Sequence, residues 1–154
     1  MSDYPTDPAI VELEPATAAV VRETVSMTAL AEFFGRVFPA TMAAAQAQGI
    51  ELSGPPIAIY YGMPTDTVDV AGGFPTAEPV ATDAGITSAD LPGGRAVQVL
   101  HVGPYDTLEQ TYGRLMAWIG EQGLTPGDVM WESYLNDPEE SETAETLIVW
   151  PLTA

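Results

Sequence analysis

The sequence contains no cysteine, no lysine and a single histidine. Without cysteine there can be no disulfide, no thiolate zinc or iron–sulfur site and no thiol nucleophile. Without lysine there is no P-loop and no Schiff-base chemistry. One imidazole, His101, cannot build a histidine-rich metal centre, and a Ser-His-Asp triad using it would lack a Gly-x-Ser-x-Gly elbow. Basic charge is scarce as well: four arginines stand against 22 acidic residues, a net charge of −18. Such a surface repels a phosphate backbone, so no direct nucleic-acid partner is expected. The uncharged run Val37–Ile50 is broken by Pro39 and Gly49 and is too short to span a bilayer. The start Met1-Ser2-Asp3-Tyr4-Pro5 lacks the basic and apolar regions of a signal peptide. These absences predict a cytoplasmic protein with no metal, no cofactor and no membrane partner.

What is present suits a packed domain. Of 154 residues, 46% are hydrophobic and 17% charged, which suggests a single globular domain over residues 1–154. Hydrophobic periodicity divides it into two similar halves. Ala19–Val25 is rich in β-branched residues and reads as a strand. Ser26 is placed to cap a helix whose apolar face runs Leu30, Phe34, Val37, Thr41 and Ala45. Pro39 is expected to kink this helix and Gly49 to end it. Strands at Pro56–Tyr61 and Thr67–Gly73 follow, joined by the turn Gly62-Met63-Pro64-Thr65. The order then repeats. Strand Arg95–Val102 leads to a helix with the stripe Tyr105, Leu108, Tyr112, Leu115 and Ile119, ended by Gly123, and to strands Val129–Leu135 and Thr146–Pro151. A shift of about 74 positions lays Tyr60-Tyr61-Gly62-Met63-Pro64 on Tyr134-Leu135-Asn136-Asp137-Pro138. Each half reads β-α-β-β, over about residues 9–75 and 92–153, with a turn-rich linker at 76–91.

A unit of about 60 residues buries too little surface alone. The two halves are therefore expected to join edge to edge as an α+β domain, with one antiparallel sheet, both helices on one face and the other face open and concave. Alternation puts Met130, Glu132 and Tyr134 on one side of their strand and Trp131, Ser133 and Leu135 on the other. The repeat puts Ala58 and Tyr60 on the side of Glu132, and this side is expected to be the uncovered one. A strand glutamate set between Met and Tyr side chains needs something to compensate it. Trp118 and Trp131 fit core positions against the helices. Gly72-Gly73 and Gly93-Gly94 read as turn glycines without a phosphate-loop context. Asp137, Glu139, Glu140, Glu142 and Glu145 lack EF-hand spacing and read as a solvated loop.

Several segments carry a resemblance: Pro92-Gly93-Gly94-Arg95-Ala96, His101-Val102-Gly103-Pro104-Tyr105-Asp106-Thr107-Leu108, Trp131-Glu132-Ser133-Tyr134-Leu135-Asn136-Asp137-Pro138 and Thr146-Leu147-Ile148-Val149-Trp150-Pro151-Leu152. With Tyr112, Leu115, Trp118 and Gly123 they resemble the second half of the GyrI-like effector-binding family, and a looser likeness begins at about residue 9. That family supplies drug-sensing domains of MerR- and AraC-type transcription regulators and also occurs free-standing. The resemblance implies a duplicated β-α-β-β fold with a ligand cleft between the halves, and a Glu of a Trp-Glu-x-Tyr segment that pairs with lipophilic cationic drugs. It assigns that role to Glu132, with aromatic walls at Tyr134 and Tyr60. Met130, Ala58, Tyr105 and Met63 complete the expected ligand-binding set. About 18 residues precede the first repeated strand, too few for a DNA-reading helix-turn-helix, so a stand-alone domain that senses or sequesters its ligand is expected.

Two alternatives share the same residues. Some members of the family resemble hydrolases of strained, cyclopropanoid-type electrophiles. On that reading Glu132 is a general base and Tyr134 a donor to the developing oxyanion. A haem or porphyrin binder of similar duplicated topology is the other, and it would rest on His101.

Overall fold

The computed structural model describes residues 6–62, 65–82, 85–103, 107–135 and 144–153. The first half contains β1 (Ala9–Leu13), β2 (Ala16–Ser26), α1 (Leu30–Ala47), β3 (Ile57–Tyr61) and β4 (Thr67–Thr76). The second contains β5 (Thr87–Leu91), β6 (Gly94–Val102), α2 (Leu108–Glu121), β7 (Val129–Tyr134) and β8 (Glu145–Pro151). The strands form one eight-stranded sheet in the order β1-β6-β8-β7-β3-β4-β2-β5, antiparallel throughout. The two halves meet at its centre, where β3 pairs with β7 from Ile57↔Ser133 to Tyr61↔Val129.

All six strands read from periodicity are present. β1 and β5 are additional, and β5 lies inside the segment taken for a linker. Each precedes the long first strand of its own half yet pairs with the other half, β1 with β6 and β5 with β2. The connecting segment is thus a clasp between the repeats. Its strand, Thr-Ser-Ala-Asp-Leu, has too little apolar alternation to announce itself.

Both helices cover the same face. The buried row of α1 is Phe33, Val37, Thr41 and Ala45, and its first two members pack on Val68 and Val70 of β4. The buried row of α2, Thr111, Leu115 and Ile119, lies over Val97, Val99, Met130, Ile148 and Trp150. Helix α1 runs through Pro39. Gly49 and Gly123 follow the helix ends at φ +71° and +68°, a left-handed conformation that glycine adopts without a Cβ penalty. Ser26 does not cap α1: it precedes a 3-10 turn at Met27–Ala29, and its hydroxyl pairs with that of Thr28. Among the described residues, no helix is long and apolar enough to cross a membrane.

The opposite face is not open. Ala18, Val20, Ile57, Ile59, Ala71, Leu91, Ala96, Leu100, Trp131, Leu147 and Val149 form a second core there, joined by Val11 and Leu13. Every strand contributes to it, so the sheet curls its helix-free face inward around its own side chains. Trp131 belongs to this core and not to the helix side, where Trp118 and Trp150 pack. The physical reason is legible in β3 and β8. Ile-Ala-Ile-Tyr-Tyr and Thr-Leu-Ile-Val-Trp are apolar on both faces, and both must be covered. Gly72 and Gly73 lie within β4 and not at a turn. A Cβ on Gly72 would stand 2.8 Å from Val37 Cγ2 and 3.2 Å from Phe34 Cδ1, so the bare backbone there is what lets α1 settle on the sheet.

Candidate functional site

Glu132 occupies the middle of the sheet, with Ala58 of β3 on one side and Ile148 of β8 on the other. Antiparallel partners project to the same side, so Glu132 shares its face with Ala58, Tyr60, Met130 and Tyr134. This grouping matches the sequence reading. The face does not: these residues point toward the helices and not toward an open concave surface. Alternation tells which residues share a side but not which side the helices occupy.

Glu132 is only 6% exposed. The Tyr134 hydroxyl donates to its Oε1 at 2.8 Å, and the Tyr112 hydroxyl, carried by α2, donates to its Oε2. The Tyr60 hydroxyl lies within hydrogen-bond reach of that of Tyr134. Burial pushes the carboxyl pKa above its ordinary value, opposed by the two phenol hydrogen bonds and by the proximity of His101. Tyr60, Tyr112 and Tyr134 are all pushed upward, first by burial and then by the charge of Glu132. They therefore stay protonated, as donors, at neutral pH.

No guanidinium meets this carboxylate. Among the described residues the ion pairs are Arg22–Asp69 at 2.7 Å and Arg36–Glu23 at 3.0 Å, both at the surface. Two phenols occupy two of roughly four acceptor positions of an ionised carboxylate and bring no formal charge. A desolvated anion without a counter-cation is costly, and a bound cation is the direct way to offset that cost.

Aromatic side chains flank Glu132 from α1. Phe34 and Phe38 stack with centroids 5.3 Å apart, and both meet Tyr134 edge-on at 6.3 and 6.2 Å. Phe74 of β4 extends the wall, 6.0 Å from Phe38. Phe34, Phe38, Tyr60, Tyr112 and Tyr134 are all half-buried. The sequence reading missed Phe38, Phe74 and Tyr112 as site residues, and it placed Phe34 only in a core stripe. Phe33 opens the buried row of α1 and Thr111 that of α2, so Phe34 and Tyr112, each one residue further on, hold equivalent positions in the two halves.

The remaining candidates fall differently. Met130 packs beneath α2 at 9% exposure, and Ala58 is fully buried beside Glu132. Tyr105 and Met63 lie outside the described residues, as do Asp137, Glu139, Glu140 and Glu142 of the acidic run, whereas Glu145 begins β8. His101 is buried, with Nδ1 2.6 Å from the Thr111 hydroxyl and Nε2 3.2 Å from that of Thr107. It ties β6 to the start of α2, and axial ligation of iron would require it to give up one of those contacts.

Known structures share this architecture. The crystal structure of the EcmrR C-terminal domain superposes with a TM-score of 0.81 at 22% identity, covering 99% of each chain. An EcmrR–DNA complex matches at 0.80 and 21% identity over 95% of this chain, which spans 57% of that longer one. A protein solved with tetraphenylphosphonium bound matches at 0.67 and 15% identity, covering 96% of this chain and 94% of that one. A hydrolase from Listeria innocua matches at 0.65 and 14% identity, covering 97% and 93%. No curated protein sequence matches the chain. At the level of sequence families, residues 6–153 match the GyrI-like small-molecule binding domain. Doubled repeat, single sheet and paired helices accord with that match: the chain belongs to the GyrI-like small-molecule binding domain family.

Proposed function

We propose that the protein binds lipophilic cations, multiple drugs among them, between α1 and α2 over the β3–β7 seam, with Glu132 as the counter-charge. The observation that carries this reading is the buried carboxylate held by Tyr112 and Tyr134, which among the described residues forms no ion pair. Phe34, Phe38 and Tyr60 supply flat apolar surface on which an aromatic cation can stack. A planar ligand burying ~300 Å² of apolar area would gain about 7 kcal/mol before association costs, so micromolar affinity, about 8 kcal/mol net, needs the charge pairing and ring stacking as well. Cytoplasmic residence, action as sensor or sequestering protein, and the absence of a direct nucleic-acid partner belong to this proposal. The likeness to a tetraphenylphosphonium-bound protein is in keeping with it.

The test is discrimination by charge. Three isosteric aromatic ligands, cationic, neutral and anionic, are titrated by fluorescence. The cation is expected to bind at least tenfold more tightly than the neutral ligand, and the anion not measurably, because it would meet a desolvated like charge. Equal binding of cation and neutral ligand would remove Glu132 from the site.

A second reading is hydrolysis of strained electrophiles. It is favoured by the raised carboxyl pKa, which suits a general base, and by two protonated phenols at the same carboxylate. Mass spectrometry separates the two readings. A receptor returns a strained-ring compound unchanged, whereas a hydrolase turns it over and stops when Glu132 becomes glutamine.

A further inference from the structure

Thr146 of β8 pairs with Tyr134 on one side and His101 on the other, and so projects onto the face that carries Glu132. It is fully buried, and its hydroxyl is a buried side-chain polar atom without a hydrogen-bond partner. Thr146 is diagonal to Glu132 across the β7–β8 ladder, a separation of about 7–8 Å that one small ligand head group can bridge. Its neighbours do not serve it. The ring nitrogens of His101 face Thr107 and Thr111, and the Tyr134 hydroxyl is turned to Glu132. Valine would fill the same space without an orphaned hydroxyl, so nothing in the packing calls for threonine.

We propose that Thr146 and the unfilled acceptor positions of Glu132 form one hydrogen-bonding subsite that reads N–H donors on the ligand. The protein then prefers protonated amines and amidines to quaternary ammonium or phosphonium cations of the same size. The hydroxyl could serve a donor or an acceptor, but the adjacent carboxylate repels acceptors and selects donors. A protonated amine places its N–H groups between the two oxygens, whereas a quaternary cation offers charge without donors and leaves Thr146 orphaned. This inference rests on the reading of Glu132 as a cation receptor.

The test uses a naphthylmethyl-methylammonium cation, which carries two N–H groups, one for each oxygen, and its trimethylammonium counterpart, which carries none. The wild type is expected to favour the first by about tenfold, the scale of one hydrogen bond to a charged site. Thr146→Val should cut this preference by about threefold or more while leaving trimethylammonium affinity unchanged, because one ligand N–H loses its acceptor and the other keeps Glu132, and Thr146→Ser should keep the preference. Thr146→Val should also raise Tm, because it removes an unsatisfied buried hydroxyl. A lower Tm would show that the hydroxyl is partnered in the free protein and would overturn the proposal. Equal wild-type affinities, or a preference undiminished in Thr146→Val, would overturn it too and leave the receptor reading intact. Binding of neither cation to the wild type would overturn both.

Discussion

Replacing Glu132 by glutamine is expected to weaken a lipophilic cation by roughly 30- to 1000-fold, the usual cost of losing one partner of a buried charge pair. A neutral isostere should change by no more than about twofold, because the aromatic surfaces remain. Loss of both ligands together would mean that the substitution had disturbed the walls and not the charge. The same variant carries a stability signature of definite sign. Burial raises the folded-state pKa of this carboxyl above its ordinary 4.5, so the folded protein holds the proton more tightly than the unfolded chain. Below about pH 4.5 the group is neutral in both states and costs nothing. As pH climbs from there through the folded-state value, the unfolded chain ionises first and stability is lost, and the loss is complete above it. Glutamine does not titrate. The variant should therefore be at least as stable as the wild type at neutral pH, with an advantage that vanishes on acidification. Thermal unfolding of both proteins across that window measures it.

Gly73→Ala is expected to produce the largest loss of stability from a single added methyl. A Cβ at Gly73 would stand 1.8 Å from the carbonyl oxygen of Ala19 and 3.0 Å from the Cα of Val20. Both atoms are backbone of β2, held in the β2–β4 ladder, where Val20 is the partner of Gly73. Neither can yield as a side chain would, so the ladder itself has to open. A penalty of about 3 kcal/mol or more follows, a fall in Tm of roughly 6–12 °C for a chain of this size. Gly72→Ala is the contrasting case. The methyl there meets side chains of Val37 and Phe34, which can move, so it should unfold less readily while displacing α1 and its aromatic wall. Cation affinity should fall in Gly72→Ala more than Tm does. If the Gly73 variant melts within 2 °C of the wild type, the close approach of β4 to β2 is misplaced (about 1 kcal/mol).

Much of this arrangement was legible in the sequence, and the limits have physical causes. The repeat, the six principal strands, both helices and the grouping of Glu132 with Tyr60, Met130 and Tyr134 follow from periodicity, which reports which side chains share a face. Periodicity is silent on which face a helix covers, and so a reading from it alone puts the site on the helix-free side. The apolar character of both faces of β3 and β8 would have corrected this, since two buried faces leave no open one. β5 escaped because Thr87, Ser88 and Asp90 give it a polar sequence, and it is placed by pairing with β2 together with the burial of Leu91 at its end. Tyr112 escaped because a tyrosine beside a buried helical row reads as core. Only the fold shows that its hydroxyl reaches across to β7. The orphaned hydroxyl of Thr146 could not be seen at all, because a missing partner is a property of the packed interior.

The most direct measurement is the titration of the Glu132 carboxyl itself, followed by carbon NMR with the glutamine variant as the assignment, in the free protein and at saturation with a lipophilic cation. The account predicts a midpoint above 4.5 in the free protein that falls when the cation binds, because a paired carboxylate holds its proton less tightly. A midpoint that the bound cation leaves unmoved would contradict it.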